Sequence, residues 1–270
     1  MNWSKTKSIF IICFLLLDAF LVFELYARQQ NEEVQTISGS DSGIRNNFRM
    51  ETQVSATPPT NITFLRGTRI NFQNQKNFID LMTSSARPAL QKIRLDNNGL
   101  RLDSTLKKTS IGSALTSADL QKNLLSLVYQ GQNYTYWQTD NKAGTIDFVQ
   151  LYDGRPVFIS RMSSNPMLQF LIKDGNVVSY QQSYFRFRQV NHAEIISSER
   201  AVTNLAENTS VMEFNRPTVK LVELVYVNLV GNAGQEPLIF MPAWHIVVRV
   251  NHHTEDYFVN AMSGNIQQLD

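Results

Sequence analysis

An apolar segment at residues 9–27, IFIICFLLLDAFLVFELYA, limits where this chain can fold more than any other feature. Twelve Leu, Ile, Phe and Val residues between Ile9 and Phe23 favour bilayer insertion by roughly 4 to 7 kcal/mol. Asp18, near the centre, opposes insertion by only about 2.5 to 3.5 kcal/mol. The segment is therefore predicted to be a transmembrane helix.

The charges beside this segment predict its orientation. Lys5 and Lys7 precede it, whereas Glu32 and Glu33 follow it, so residues 1–8 are expected in the cytoplasm and the rest of the chain outside the cell. A cleaved secretory signal is the alternative. The length of the apolar run and Leu25, two positions before the small Ala27, favour a retained single-pass anchor in the cell membrane.

Asp18 gives the segment a polar group that a simple tether does not need. On a helix, apolar residues three, four or seven positions away share its face: Ile11, Phe14, Leu15, Leu21, Val22 and Leu25. Glu24 lies about 120° further round the axis. A carboxyl group in the bilayer can hydrogen-bond to another helix, which contributes roughly 1 to 2 kcal/mol. The predicted partner-contact surface consists of Asp18, Glu24, Phe14, Leu15, Leu21, Val22 and Leu25. The alternative is an isolated, protonated Asp18 that lipid tolerates.

Beyond residue 27 the sequence predicts a stalk and then two units. Residues 28–61 are rich in Ser, Asn and Gln and are read as a stalk or entry segment, parts of which could pair as edge strands. Helical periodicity then precedes strand-like runs twice, with helices starting near Thr116 and Ser197. We therefore expect an α+β fold with two tandem units of one helix and an antiparallel sheet, at residues 62–190 and 191–270. Asp174-Gly175 predicts a tight hairpin inside the first unit.

Composition and motifs exclude several classes of function. The net charge of +2 argues against nucleic-acid binding, and the single cysteine, Cys13, excludes disulfides and thiol chemistry outside the apolar segment. No G-x-S-x-G, H-E-x-x-H, P-loop or dinucleotide-binding motif occurs. The chain is predicted not to be an enzyme and to need no cofactor.

Histidines and tryptophans are the remaining candidates for a binding site. His245, His252 and His253 lie near Glu255 and Asp256, but adjacent histidines on a strand point to opposite faces, so no metal site is predicted. Trp137 and Trp244 are interpreted as core residues of half-buried strands rather than as the walls of a ligand groove.

Two resemblances emerge from longer stretches of sequence. Pro242-Ala-Trp-His-Ile-Val-Val and Tyr257-Phe-Val-Asn-Ala-Met-Ser-Gly-Asn-Ile resemble the PepSY module of extracytoplasmic proteins, with Asn260 where that module usually has Asp. The start Met1-Asn-Trp-Ser-Lys-Thr-Lys resembles the YycI (WalI) family, as do Tyr152-Asp-Gly-Arg-Pro-Val, Met167-Leu-Gln-Phe-Leu-Ile and Ser179-Tyr-Gln-Gln-Ser. The second resemblance spans nearly the whole chain.

The YycI resemblance implies a function and partners. Members of that family are membrane-anchored, non-enzymatic regulators of the YycG/YycF (WalK/WalR) two-component system, which controls cell-wall metabolism. It implies that the membrane helix contacts the sensor kinase YycG and that the extracellular domain pairs with YycH or forms a homodimer. The alternative is an extracytoplasmic PepSY-type module that inhibits a hydrolase or binds an envelope ligand, with the helix as a tether.

Overall fold

A computed structural model gives the fold of most of the chain beyond residue 47. It describes residues 48–84, 91–109, 118–160, 166–208, 217–228, 236–251 and 253–267, together with Phe14, Leu17, Asp18 and Leu21. The chain divides into two compact units, Met1–Gly43 and Ile44–Asp270. In the first unit, the four described residues have helical backbone and exposed side chains.

The second unit consists mainly of strands. The described strands are β1 Arg49–Met50, β2 Thr63–Arg69, β3 Gln91–Leu95, β4 Leu102–Thr109, β5 Tyr134–Asp140, β6 Thr145–Tyr152, β7 Arg155–Ile159, β8 Leu168–Lys173, β9 Asn176–Gln182, β10 Phe185–His192, β11 Thr218–Asn228, β12 Leu238–Val250, β13 His253–Asn260 and β14 Ile266–Gln267. The α-helices described in this unit are α1 Lys76–Thr83, α2 Ala118–Leu125 and α3 Ser198–Asn208. Short 3-10 helices lie at Phe72–Asn74 and Gly131–Asn133.

The strands join into one mixed sheet. Its main path runs β10-β2-β12-β11-β7-β6-β8-β9-β4-β3, while β1 pairs with β11, β5 with β6, β13 with β12 and β14 with β13. Strands β1 and β7 run parallel to β11, and the other described pairs are antiparallel. Strand β12 pairs with β2, β11 and β13, so it links the two halves of the chain.

The predicted fold class is therefore wrong. Two tandem PepSY-like units would each have a sheet of their own, whereas β2 pairs with β12 and β7 pairs with β11 across the predicted boundary at residue 190. The sequence prediction relied on the repeated order of local elements, and that order contains no information about which distant strands pair.

The structure also bears on the predicted membrane helix. Within the described parts of the chain, no helix is long and apolar enough to cross a membrane. Most of residues 9–27 lie outside those parts, so the predicted span itself is not among the helices that the structure describes.

Two local predictions are confirmed. Asp174 and Gly175 join β8 to β9 with positive φ angles of 51° and 72°, as a tight hairpin turn requires. Ser197 caps α3, because its hydroxyl accepts a hydrogen bond from the Arg200 backbone N–H at 3.1 Å. Both features depend on nearest neighbours in sequence, which is why the sequence reveals them.

Side-chain alternation along β12 separates two cores. Trp244, Ile246 and Val248 pack on one face of the sheet in the same cluster as Ala201 and Leu205 of α3. Ala243 faces the other way and packs with Phe158 of β7 and Phe258 of β13. Successive residues of a strand point to opposite faces, so His245 lies on the face that α3 does not cover.

Candidate functional site

A groove opens on the face of the sheet that α3 does not cover. It has a volume of about 500 Å³ and lies between β5, β7 and the strands β11 to β13. We name it the Trp137–His245 groove, after two of the residues that line it: Thr135, Tyr136, Trp137, Gln138, Thr139, Val149, Pro156, Phe158, Leu221, Glu223, His245, Val247, Thr254 and Asp256. This set contains two carboxylates and neither Lys nor Arg.

Trp137 reaches the groove through an irregularity in β5. Tyr136 pairs with Phe148 and Gln138 pairs with Asp147, so Trp137 is an extra residue in the ladder between β5 and β6. Such a bulge changes the direction of a side chain relative to a regular strand. The indole packs edge-on against Phe158, with the ring centroids 5.1 Å apart.

His245 lies at the base of the groove and is 4% exposed. Its Nδ1 is 3.0 Å from Oε1 of Glu223 on β11, the residue directly opposite in the strand pairing. Its Nε2 is 2.8 Å from Oδ1 of Asp256 on β13. The imidazole also stacks on the ring of Phe258, with a centroid distance of 4.7 Å and an interplanar angle of 8°. One side chain thus connects three strands.

The two carboxylates determine the charge of His245. A carboxylate only accepts hydrogen bonds, so both ring nitrogens must carry protons to satisfy this geometry. Burial by itself lowers the pKa of His245, but the hydrogen bonds and negative charges of Asp256 and Glu223 outweigh it and raise the pKa above its ordinary value. The hydrogen-bond geometry and the raised pKa therefore both favour the protonated form of the buried imidazole.

This arrangement limits the chemistry of the site. With both nitrogens protonated and bonded, His245 has no lone pair for a proton or a metal ion. Among the described residues, no group of three or more metal-ligand side chains is placed to hold an ion. His252, one member of the imagined metal cluster, lies outside those residues.

The two candidate tryptophans lie in different environments. Trp244 is 6% exposed, packs in the core beneath α3, and donates a hydrogen bond from Nε1 to the Ile196 carbonyl at 3.0 Å. The core interpretation is confirmed for Trp244. Trp137 is half-buried and lines the groove while it packs on Phe158, so it combines the two roles that were considered for it.

Sequence reasoning did not identify Glu223 as part of this site. It lies within a run of apolar residues on β11, and a carboxylate in such a run must find a partner on the neighbouring strand or reach solvent. The sequence contains that signal, but it does not show the strand register that places Glu223 opposite His245.

Three of the predicted membrane-contact residues are among those the structure describes. Phe14, Asp18 and Leu21 have helical backbone and exposed side chains, with Phe14 61% and Leu21 49% exposed. The others lie outside the described residues: Leu15, Val22, Glu24 and Leu25. The contact surface on residues 9–27 stays a prediction from the sequence.

Comparison with known proteins decides the family. The sequence profile described as "YycI protein" matches residues 27–262, which is most of the chain. The chain belongs to the YycI family. This confirms the family that the sequence resembles, and in general terms it identifies this family member as a regulatory accessory protein of the YycFG two-component system. The match begins at residue 27, so it does not include Asp18 or Glu24.

Three solved structures align with this family member at low sequence identity. An uncharacterized protein from Eubacterium rectale ATCC 33656 is 10% identical with a TM-score of 0.44, covering 77% of this chain and 86% of that one. The Bacillus megaterium YpeB C-terminal domain is 13% identical with a TM-score of 0.42, covering 75% and 99%. YycH from Bacillus subtilis is 13% identical with a TM-score of 0.39, covering 76% and 52%. No curated protein matches the chain.

Proposed function

We propose that this YycI family member regulates the sensor kinase YycG from the cell membrane, together with YycH. The family match over residues 27–262 is the observation that carries the proposal. In the proposed arrangement, residues 9–27 hold the chain in the membrane with residues 1–8 in the cytoplasm. The folded region, Ile44–Asp270, then lies outside the cell.

The kinase contact is proposed for the apolar segment. Support comes from the sequence, because a carboxyl group at Asp18 is a cost of roughly 3 kcal/mol for a segment that only anchors. That cost is partly offset when the group hydrogen-bonds to a neighbouring helix inside the bilayer. Glu24 lies nearer the outer end and gives a second polar position on a different side of the segment.

A membrane two-hybrid measurement tests this contact. Residues 1–28 are expressed against the membrane segments of YycG, and the expected result is a signal that decreases in Asp18→Leu. Leu16→Ile is a control that keeps the apolar character of a position about 160° round the helix axis from Asp18. The contact is excluded if there is no signal, or if the signal is the same with Asp18→Leu and Glu24→Leu.

Exchanging the anchor separates contact from tethering. Residues 1–28 are replaced by an unrelated membrane anchor in the full chain, and the output of the YycFG system is measured in cells. We expect regulation to be lost although the folded region still reaches the cell surface. Full regulation after the exchange would mean that the segment is a tether, and would favour an external module that acts by itself.

The location and the external partner need separate measurements. A reporter fused after Asp270 is expected to be active only outside the cell, and activity in the cytoplasm would contradict the proposed topology. Sedimentation of the purified full chain, alone and mixed with YycH in the same detergent, distinguishes pairing with YycH from self-association. We expect a one-to-one complex with YycH, and separate sedimentation of the two proteins would exclude it under those conditions.

A further inference from the structure

Three arginines form an exposed basic patch on one face of β10, β2 and β12. Arg188 of β10 lies directly opposite Arg66 of β2, and Arg66 lies directly opposite Ile239 of β12. Arg186 is two residues before Arg188 on the same strand and therefore shares its face. The side chains of all four residues are exposed, that of Ile239 by 46%. We name these four residues the arginine surface.

The opposite face of the same strands belongs to the main hydrophobic core. Leu65 of β2, Phe185 of β10 and Phe240 of β12 are buried there. Because successive residues of a strand point to opposite faces, the burial of these neighbours directs the arginine surface to the outside. The pairing register of three strands, rather than a loop, therefore holds its residues beside one another.

In the described parts of the chain, no carboxylate forms an ion pair with these three arginines. Strand β2, strand β10 and the residues of β12 that pair with β2 contain no Asp or Glu. Glu236, shortly before β12, pairs at 3.0 Å with Arg69, whose side chain is only 1% exposed. The three guanidinium groups of the arginine surface are therefore left to solvent.

Protection of the sheet edge explains only part of this charge. Exposed charges on an edge strand prevent unwanted pairing, which accounts for Arg186 and Arg188 on β10. It does not account for Arg66, because β2 has β10 on one side and β12 on the other. Like charges directly opposite each other destabilise an antiparallel pair, and their Cβ atoms are only about 5 Å apart. The Arg66–Arg188 pair thus has a cost to the fold that no described contact offsets.

The chemistry of the arginine surface suits the carboxylates of a protein better than a lipid surface. A guanidinium group binds a carboxylate through two parallel hydrogen bonds, and the strand register fixes where each group starts. Segments that bind anionic lipids typically have about four to eight basic residues, whereas this surface has three. Ile239 adds exposed apolar area, and arginine beside apolar area is common in protein–protein interfaces.

We propose that the arginine surface binds an acidic patch on another protein. Carboxylates of that patch pair with Arg66 and Arg188, and an apolar side chain beside them packs on Ile239. Arg186 supplies a third charge, diagonal to Arg66 at about 7 to 8 Å. Complementary charges of this kind speed association and exclude partners of the wrong charge. The surface belongs to the folded region, and the inference does not depend on the proposed function.

A peptide probe tests whether the surface recognises carboxylates. The probe is a labelled eight-residue peptide of alternating glutamate and valine, added to the full chain in non-ionic detergent, and its affinity is read from fluorescence anisotropy. The NMR signals of the arginine Nε–H groups locate the contact. We expect the signals of Arg66 and Arg188 to shift with this peptide and not with the same peptide containing glutamine. Unshifted signals with the glutamate peptide would overturn the proposal.

Paired substitutions separate this surface from general attraction between charges. Arg66→Gln with Arg188→Gln is expected to weaken peptide binding about tenfold, at about threefold for each exposed ion pair. Lys92→Gln with Arg94→Gln, two exposed basic residues of β3, removes the same charge and is expected to leave the affinity unchanged. Equal weakening by the two pairs would refute a specific surface. The first pair should also unfold at the same or a higher urea concentration than the parent, because it removes opposed charges.

A lipid probe tests the competing occupant. Phosphatidylglycerol is mixed into the detergent micelles, and we expect the signals of Arg66 and Arg188 to stay where they are in the pure detergent. A larger shift with this lipid than with the glutamate peptide would assign the surface to anionic lipid and overturn the proposal.

The same NMR measurement with the extracellular region of YycH separates this inference from the proposed function. Shifts at Arg66 and Arg188 would identify YycH as one protein that uses the arginine surface. Binding of YycH without those shifts, together with an inactive glutamate peptide, would leave the proposed function standing and refute the arginine surface as a binding site.

Discussion

Replacing His245 by glutamine tests the charge of the buried imidazole directly. Glutamine is similar in length and can donate one neutral hydrogen bond, but it cannot carry the charge that Glu223 and Asp256 share. Hydrogen bonds to charged groups contribute about 1.5 to 3 kcal/mol each. Because both carboxylates are about one-third exposed and regain water in the variant, we expect a net loss of about 2 to 3 kcal/mol.

The loss should depend on pH in a defined direction. Hydrogen bonds and negative charges raise the pKa of His245 in the folded chain above its ordinary value, although burial opposes them. The stabilisation is therefore fully present below the unfolded pKa of about 6.5 and is lost as the pH rises through the higher folded pKa. The stability lost in His245→Gln, relative to the parent chain, should be greatest below about pH 6.5 and should decrease at higher pH.

Thermal unfolding of the full chain in detergent measures both effects. At about 2 to 4 °C per kcal/mol for a domain of this size, the unfolding midpoint should fall by about 4 to 12 °C in acidic buffer. His192→Gln, an exposed histidine on β10, is the control and should leave the midpoint and its pH dependence unchanged. The same pH dependence in His245→Gln and the parent would refute the charged imidazole.

Three further substitutions test the packing of the sheet, each by urea unfolding of the full chain. Gly67→Ala places a methyl group 2.7 Å from the Phe240 ring and should cost about 1 to 3 kcal/mol; an unchanged midpoint would show that the ring moves freely. Ser197→Ala removes the cap of α3 and should cost about 1 kcal/mol, and the half-buried Ser84, at the C-terminal end of α1, is the matched site for a control. Gln182→Leu deprives the Tyr129 backbone of two partners, at 2.7 and 3.0 Å, and should cost about 2 to 4 kcal/mol; a loss below that of Ser197→Ala would contradict this reading.

The sequence predicted most helices and strands where apolar periodicity is strong. It failed at β2 and β4, whose sequences TFLRGTR and LDSTLKKT contain charged residues and a glycine. Arg69 at the end of β2 is 4% exposed because its guanidinium pairs with Glu236 at 3.0 Å and lies 4.8 Å above the Phe185 ring. Such strands are stabilised by partners that are distant in sequence, and composition alone does not reveal those partners.

The candidate site shows the same limit. Trp137 and His245 were recognised as candidates, but Glu223 was not, and Asp256 was considered only as a metal ligand. What joins them is the register between β11, β12 and β13, together with a bulge that adds Trp137 to β5. A shift of one residue would turn every side chain to the other face of the sheet, so no residue type by itself predicts this cluster.

Pro242 explains why one strand was read as two. The sequence predicts separate strands at residues 238–241 and 243–250, on either side of this proline, which lacks an N–H and usually interrupts a ladder. In the structure, Pro242 lies at the end of the β12–β13 pairing, and its carbonyl accepts from the Ala261 N–H at 3.1 Å. The N–H that proline lacks would point beyond the end of β13 at Asn260, so no hydrogen bond of the β12–β13 ladder is lost. Strand β12 therefore continues through Pro242 and pairs with β2. Two apparent units become one sheet because this proline occupies a position that needs no donor.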